Sequence, residues 1–171
     1  HLSAATATIV WSLAEKIKNG KASVLGAVTG SIAGLAAITP ASGEVGPIGA
    51  LAIGAASGLV CWYASVILKS KLGYDDSLDV VGVHGVGGLV GTLLVAFFAA
   101  SSLGGKQGAD YAIGGQFMTQ LTSSAITVVY TLVLSIIILK VVGIVCGGLR
   151  VSESEEQDGL DISAHGESGY N

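Results

Sequence analysis

The stretch Asp79-Val-Val-Gly-Val-His84-Gly-Val-Gly-Gly-Leu-Val-Gly91 decides how the chain is read. From Val80 to Ala100 every residue is apolar, glycine or hydroxylic except His84, which is the one titratable group of the run. About 20 such residues cross the hydrocarbon core of a bilayer as a helix. An ionisable side chain at that depth is expensive, faces a protein interior or a water-filled cavity, and marks a functional site by default. The run therefore predicts a membrane helix with a working histidine.

The rest of the chain agrees with that environment. Its 171 residues are 51% hydrophobic and 12% charged, with a mean hydropathy of +0.72. Soluble domains carry about 25% charged residues. The 26 glycines follow no low-complexity repeat, and glycine is common where membrane helices approach closely. The net charge of −4 comes largely from the last twenty residues, and no basic patch points to nucleic acid. Cys61 and Cys146 lie in apolar runs and read as small buried or lipid-facing residues.

Five apolar segments are legible, at 2–14, 22–38, 47–68, 80–100 and 116–149. The first is too short to span and carries no charged leader before it, so the chain is expected to begin within a helix of something longer. Asn19-Gly20, Thr39-Pro40 and the glycine-rich 101–115 loop separate the segments, and Pro47 suits a first helical position. Asp79 or Ser77 is expected to cap the fourth. The last exceeds one crossing and is expected to tilt or to extend beyond the bilayer. These features define an all-α integral membrane domain over 1–150 and a solvated tail over 151–171.

Cations orient the domain. Alternating sides group Lys16, Lys18, Lys21, Lys69, Lys71 and Arg150, with Lys106 opposite. The positive-inside rule puts the first group, and so the tail, in the cytoplasm; Lys140 is expected to snorkel to the same side. Gly26, Gly30 and Gly34, and Ala50, Gly54 and Gly58, recur every fourth residue and predict close helix packing. In the fourth segment Gly88 and Gly91 share a helical face with His84, open to a neighbouring helix or a small solute.

His84 has two readings on physical grounds. It either locks packing through a bond to a neighbouring backbone, or lines a path for a proton or small polar solute, since imidazole both accepts and donates near neutral pH. Asp79 lies about 140° around the helix and is a poor direct partner. No companion ligand at helical spacing suggests a metal. Gly85-Val-Gly-Gly lacks the lysine of a phosphate loop. No nucleophile–base or paired-carboxylate pattern suggests an enzyme, and no cofactor is implied. The acidic tail reads as solvated, yet Gly159-Leu-Asp161 and His165-Gly166-Glu167 look like turn and capping units.

Several stretches, taken in order, resemble the ammonium transporter family, on its Amt branch. They are Leu25-Gly-Ala with Gly34-Leu-Ala-Ala-Ile-Thr-Pro40, Asp79-Val-Val-Gly-Val-His84-Gly-Val-Gly-Gly88, Phe98-Ala-Ala-Ser-Ser-Leu-Gly-Gly105, and Gly148-Leu-Arg-Val with Gly159-Leu-Asp161, His165-Gly-Glu167 and Tyr170. The resemblance implies an eleven-helix fold, of which this chain supplies five membrane helices, the seventh to eleventh, and the tail. It implies a homotrimer in the cell membrane that conducts ammonium or ammonia through a hydrophobic pore. His84 would be one of a pair of pore histidines, Thr29 a pore-side residue, and Asp79, Gly85, Gly88 and Gly91 structural neighbours. Gly159, Asp161, His165, Gly166, Glu167 and Tyr170 would dock the tail, where a P-II type signalling protein binds some relatives. Glu44 departs from the aromatic residue usual in its loop, and Gly169 from a common alanine. An ammonium sensor on the same fold and an Rh-type gas channel are the rival readings; the tail motif argues against the second.

Overall fold

The structure, a computed structural model, describes residues 1–169; the Tyr170 named above lies outside the described residues. Among the described residues the regular structure is helical, apart from one isolated bridge between Ala100 and Gln107. The chain forms two compact units, the first ending at Ala125 and the second beginning at Ile126.

The first unit is built on α1 (Leu2–Asn19), α2 (Val24–Ile38), α3 (Pro47–Trp62), α4 (Lys69–Leu72) and α5 (Val86–Phe98), and takes in the start of α6 (Ile113–Val145). Local chemistry sets the ends. Gly20 takes a left-handed φ of 77° and returns its N–H to the Lys16 carbonyl, closing α1. Ser23 caps α2 by accepting from the Gly26 N–H at 2.8 Å, and Glu15 accepts from the Ser23 N–H at 2.8 Å. Pro47 opens α3, where its missing N–H leaves no intrahelical bond unmade. Gly73, with φ 65°, ends α4.

Helices α1, α2 and α3 pack against one another, and α5 lies against α2 and α3. Both glycine stripes converge on α1. A Cβ on Gly34 would lie 2.8 Å from the Ala4 Cα, and one on Gly58 would lie 2.8 Å from the Ala7 carbonyl. Small residues thus let two helices approach the backbone of the first. Ser3 exploits the gap, donating its hydroxyl to the Gly34 carbonyl at 2.8 Å. Trp11, Ala14, Ala33, Cys61, Trp62 and Val83 form one apolar cluster, and Ala37, Ala41, Ile53, Val95 and Ala99 a second.

Four of the five apolar segments form helices long and apolar enough to cross a membrane: Val24–Ala41, Pro47–Leu72, Val80–Phe98 and Ile113–Val145. The first, α1, does not reach that composition, because its last turns carry Glu15, Lys16 and Lys18. Helix α6 has 33 residues, none buried, and is apolar around most of its circumference, as a helix facing lipid is. In the second unit α7 (Glu153–Asp158) begins with a reciprocal Ser152–Glu155 capping box. Gly159 and Gly166 hold positive φ, and the Glu167 N–H bonds the Asp161 carbonyl at 2.7 Å. Both tail motifs are therefore turn units.

Candidate functional site

The site is built at the start of the Val80–Phe98 helix. Three successive N–H groups there have no carbonyl partner of their own turn. Asp76 takes all three: its carboxylate accepts from Val80 at 2.8 Å, Val81 at 3.0 Å and Gly82 at 3.3 Å. This corrects the expectation that Asp79 or Ser77 caps the helix. Asp79 stands at a φ of 54° and its side chain makes no cap bond; Ser77 instead donates to the Asp75 carboxylate. The Asp79 carboxylate pairs with the Lys69 ammonium at 2.6 Å, and Lys69 also donates to the Asp76 carbonyl at 3.0 Å. One lysine at the end of the preceding helix thus ties down the turn from which the histidine helix springs.

Residues Val80–Gly85 then wind as a π-helical turn, with the Val86 N–H reaching back to the Val81 carbonyl. Such widened turns concentrate at functional sites. They separate neighbouring side chains sharply here: Val83 is 2% exposed in the core, whereas the next residue, His84, is exposed. His84 lines a cavity of about 200 Å³ together with Thr29, Asp79, Leu25, Ile32 and Leu78. That is room for several water-sized solutes. The Thr29 hydroxyl donates to its own helix, to the Leu25 carbonyl at 2.9 Å, and so has lone pairs left to offer. The cavity is thus lined by the apolar Leu25, Ile32, Leu78 and Val83 and by the polar Thr29, Ser77, His84 and Asp79, the last paired with Lys69.

The glycines after His84 divide. Nothing approaches a Cβ built on Gly88 within 4 Å, and Gly85 meets only the Val80 carbonyl at 3.9 Å. Gly91, on the face expected to admit a neighbouring helix or a small solute, is buried against the Ala37 carbonyl and Pro40, and so receives the helix. The end of α2 covers the upper part of the helix, so the face is open only near His84. In the second unit, the tail residues Gly159, Asp161, His165, Gly166 and Glu167 form the turn already described.

A second cavity, of about 340 Å³, lies at the other end of α5, lined by Pro40, Glu44, Gln107, Tyr111, Gln116 and Gln120 among others. Glu44 accepts from the Gln107 amide at 2.7 Å, and the Lys106 N–H bonds the Glu44 carbonyl. Tyr111 donates to the Ala96 carbonyl, and burial, followed by the Glu44 charge, raises its phenol above the ordinary pKa of 10.0. The loop bearing the unexpected glutamate is therefore firmly tied.

Sequence reasoning picked out His84, Thr29 and Asp79, and the fold brings all three to one cavity. It missed Asp76, whose signal was only its position four residues before the first helical residue. It missed Leu25 and Ile32 too, which lie a turn either side of Thr29.

The comparisons with known proteins are uniform. The model of the Ammonium Transporter Family matches residues 1–170. The ammonium transporter of Aquifex aeolicus is 43% identical over 97% of this chain and 39% of its own length. That of Bacillus subtilis is 41% identical over 99% of this chain and 42% of its own. The crystal structure of Candida albicans Mep2 superposes with a TM-score of 0.78 at 32% identity, over 90% of this chain and 35% of that one. The chain thus spans about two fifths of the length of these curated relatives. With four membrane-length helices, a matching fold and a family match along nearly its whole length, this multi-pass membrane chain belongs to the ammonium transporter family.

Proposed function

We propose that the complete protein conducts ammonium or ammonia across the membrane and is not an enzyme, with His84 at the narrow part of the path. The observation that carries this reading is the exposed His84 on its π-turn, lining a cavity shared with Thr29 and the apolar Leu25, Ile32 and Leu78. A bare cation is costly to desolvate, while a neutral amine is much less so. An imidazole that accepts one hydrogen bond and donates another replaces lost water for such a solute without adding a fixed charge.

The finer assignments follow the resemblance. His84 is one member of a histidine pair whose partner is outside this chain, and Thr29 lines the path. Asp79, Gly85, Gly88 and Gly91 shape the helix around it. Residues 1–150 form the membrane domain and 151–171 a cytoplasmic tail, in the plasma membrane, as a homotrimer. The tail residues Gly159, Asp161, His165, Gly166, Glu167 and Tyr170 regulate conduction, where a P-II type signalling protein docks. The test is reconstitution of the complete protein in liposomes loaded with a pH dye. An inward ammonium gradient should change internal pH faster than in protein-free liposomes; equal rates would overturn the reading.

A further inference from the structure

Two π-helical turns pack against each other behind the cavity: Tyr63–Leu68, which continues α3, and Val80–Gly85, which carries His84. Their contact is made by backbone on one side. A Cβ on Gly82 would run into the Ser65 Oγ and lie 3.1 Å from the Ser65 Cα and Cβ. One turn earlier on the same helix, Cys61 donates its Sγ–H to the Val83 carbonyl at 3.8 Å. Ser65 is 4% exposed, and its hydroxyl has no hydrogen-bond partner among the described residues.

A buried hydroxyl without a partner asks for a reason. A helical serine ordinarily bonds back to its own preceding turn. Here the oxygen is spent on shape: it fills the notch left by a residue without a side chain. Val83 is fixed by its neighbours, being 2% exposed in the cluster with Trp11, Cys61 and Trp62. Gly82 and Val83, the two residues immediately before His84, are thus held by their neighbours, and the next side chain, His84, is exposed and lines the cavity.

We propose that Ser65 and Cys61 are positioning residues for His84, Ser65 acting as a peg in the Gly82 notch that sets where the imidazole stands. This inference rests on the conduction role proposed for His84. Interiors are close-packed, so a misfit at the notch moves the backbone rather than being absorbed. Displacing a working group by about 1 Å is enough to cost rate heavily.

The test is methylammonium uptake by the complete protein, normalised to the amount in the membrane. Gly82→Ala should lower the maximal rate at least about tenfold with half-saturation unchanged. The double variant Gly82→Ala with Ser65→Ala, which removes the colliding oxygen, should regain uptake to within about threefold of wild type. A merely structural role would change the amount of protein, not the rate per molecule. If Gly82→Ala does not accumulate, Ser65→Val enlarges the peg instead and should show the same loss; full uptake by it would overturn the inference. His84→Ala runs alongside. Unchanged uptake there defeats the conduction role, whereas its loss together with a fully active Gly82→Ala, or no recovery in the double variant, defeats the positioning inference alone.

Discussion

At the scale of single residues, a lone titratable side chain in an apolar setting is what made the candidate site readable. His84 stood out because nothing else between Val80 and Ala100 titrates. Its supports were far less legible: Asp79 and Ser77 read as the caps, whereas Asp76, in the same short link, is the residue that serves. The left-handed backbone at Asp79 decides among them, turning that carboxylate to Lys69 and leaving Asp76 beneath the free N–H groups. Two predictions follow at this scale. Asp76→Ala should lower the stability of the complete protein by about 2 kcal/mol, because charge-assisted caps are lost together. Thermal denaturation in detergent checks this, and a midpoint equal to wild type would refute it. The Lys69–Asp79 pair has side chains 29% and 27% exposed. A double-mutant cycle with Lys69→Met and Asp79→Asn should give a coupling below about 1 kcal/mol.

At the scale of elements, glycine spacing predicted the packing of α2 and α3 correctly but could not say which glycines of α5 stay open. Spacing fixes the face of a helix; only the path of its neighbour fixes where that face is covered. α2 ends against Gly91 and does not reach Gly88. Gly91→Ala and Gly34→Ala press a methyl onto backbone and should each destabilise by about 1–3 kcal/mol. Gly88→Ala meets nothing within 4 Å in this chain and should leave the fold intact by the same denaturation assay. In the tail, hydrogen bonds from Ser152 hold the Glu155 carboxyl below its ordinary pKa of 4.5. A depressed carboxyl stabilises the folded form above the ordinary pKa, and that contribution is lost as pH falls through the depressed one. Helix Glu153–Asp158 should therefore keep its amide protection at neutral pH and lose it in acid below the ordinary carboxylate range. Ser152→Ala should show weakened protection already at pH 7, read by hydrogen exchange in the intact protein.

At the scale of the molecule, composition and segment lengths were enough to read an all-α membrane protein, and four membrane-length helices bear that out. Helix α1 is the exception that the sequence only half disclosed. Its apolar run is short, yet it packs against both α2 and α3, because packing depends on its buried face of Ser3, Ala7, Trp11 and Ala14 meeting the glycines of those helices and not on span. Sidedness rests on the lysine asymmetry alone, so a fluorescent protein fused after the tail should fold and fluoresce on the cytoplasmic side, while a periplasmic phosphatase at the same place stays inactive. The place proposed for His84 in the conduction path is tested by methylammonium uptake by the complete protein, compared between wild type and His84→Ala at equal membrane content. In His84→Ala, uptake or its coupling to proton movement should change at least about tenfold; wild-type uptake with unchanged proton coupling would take His84 out of the path.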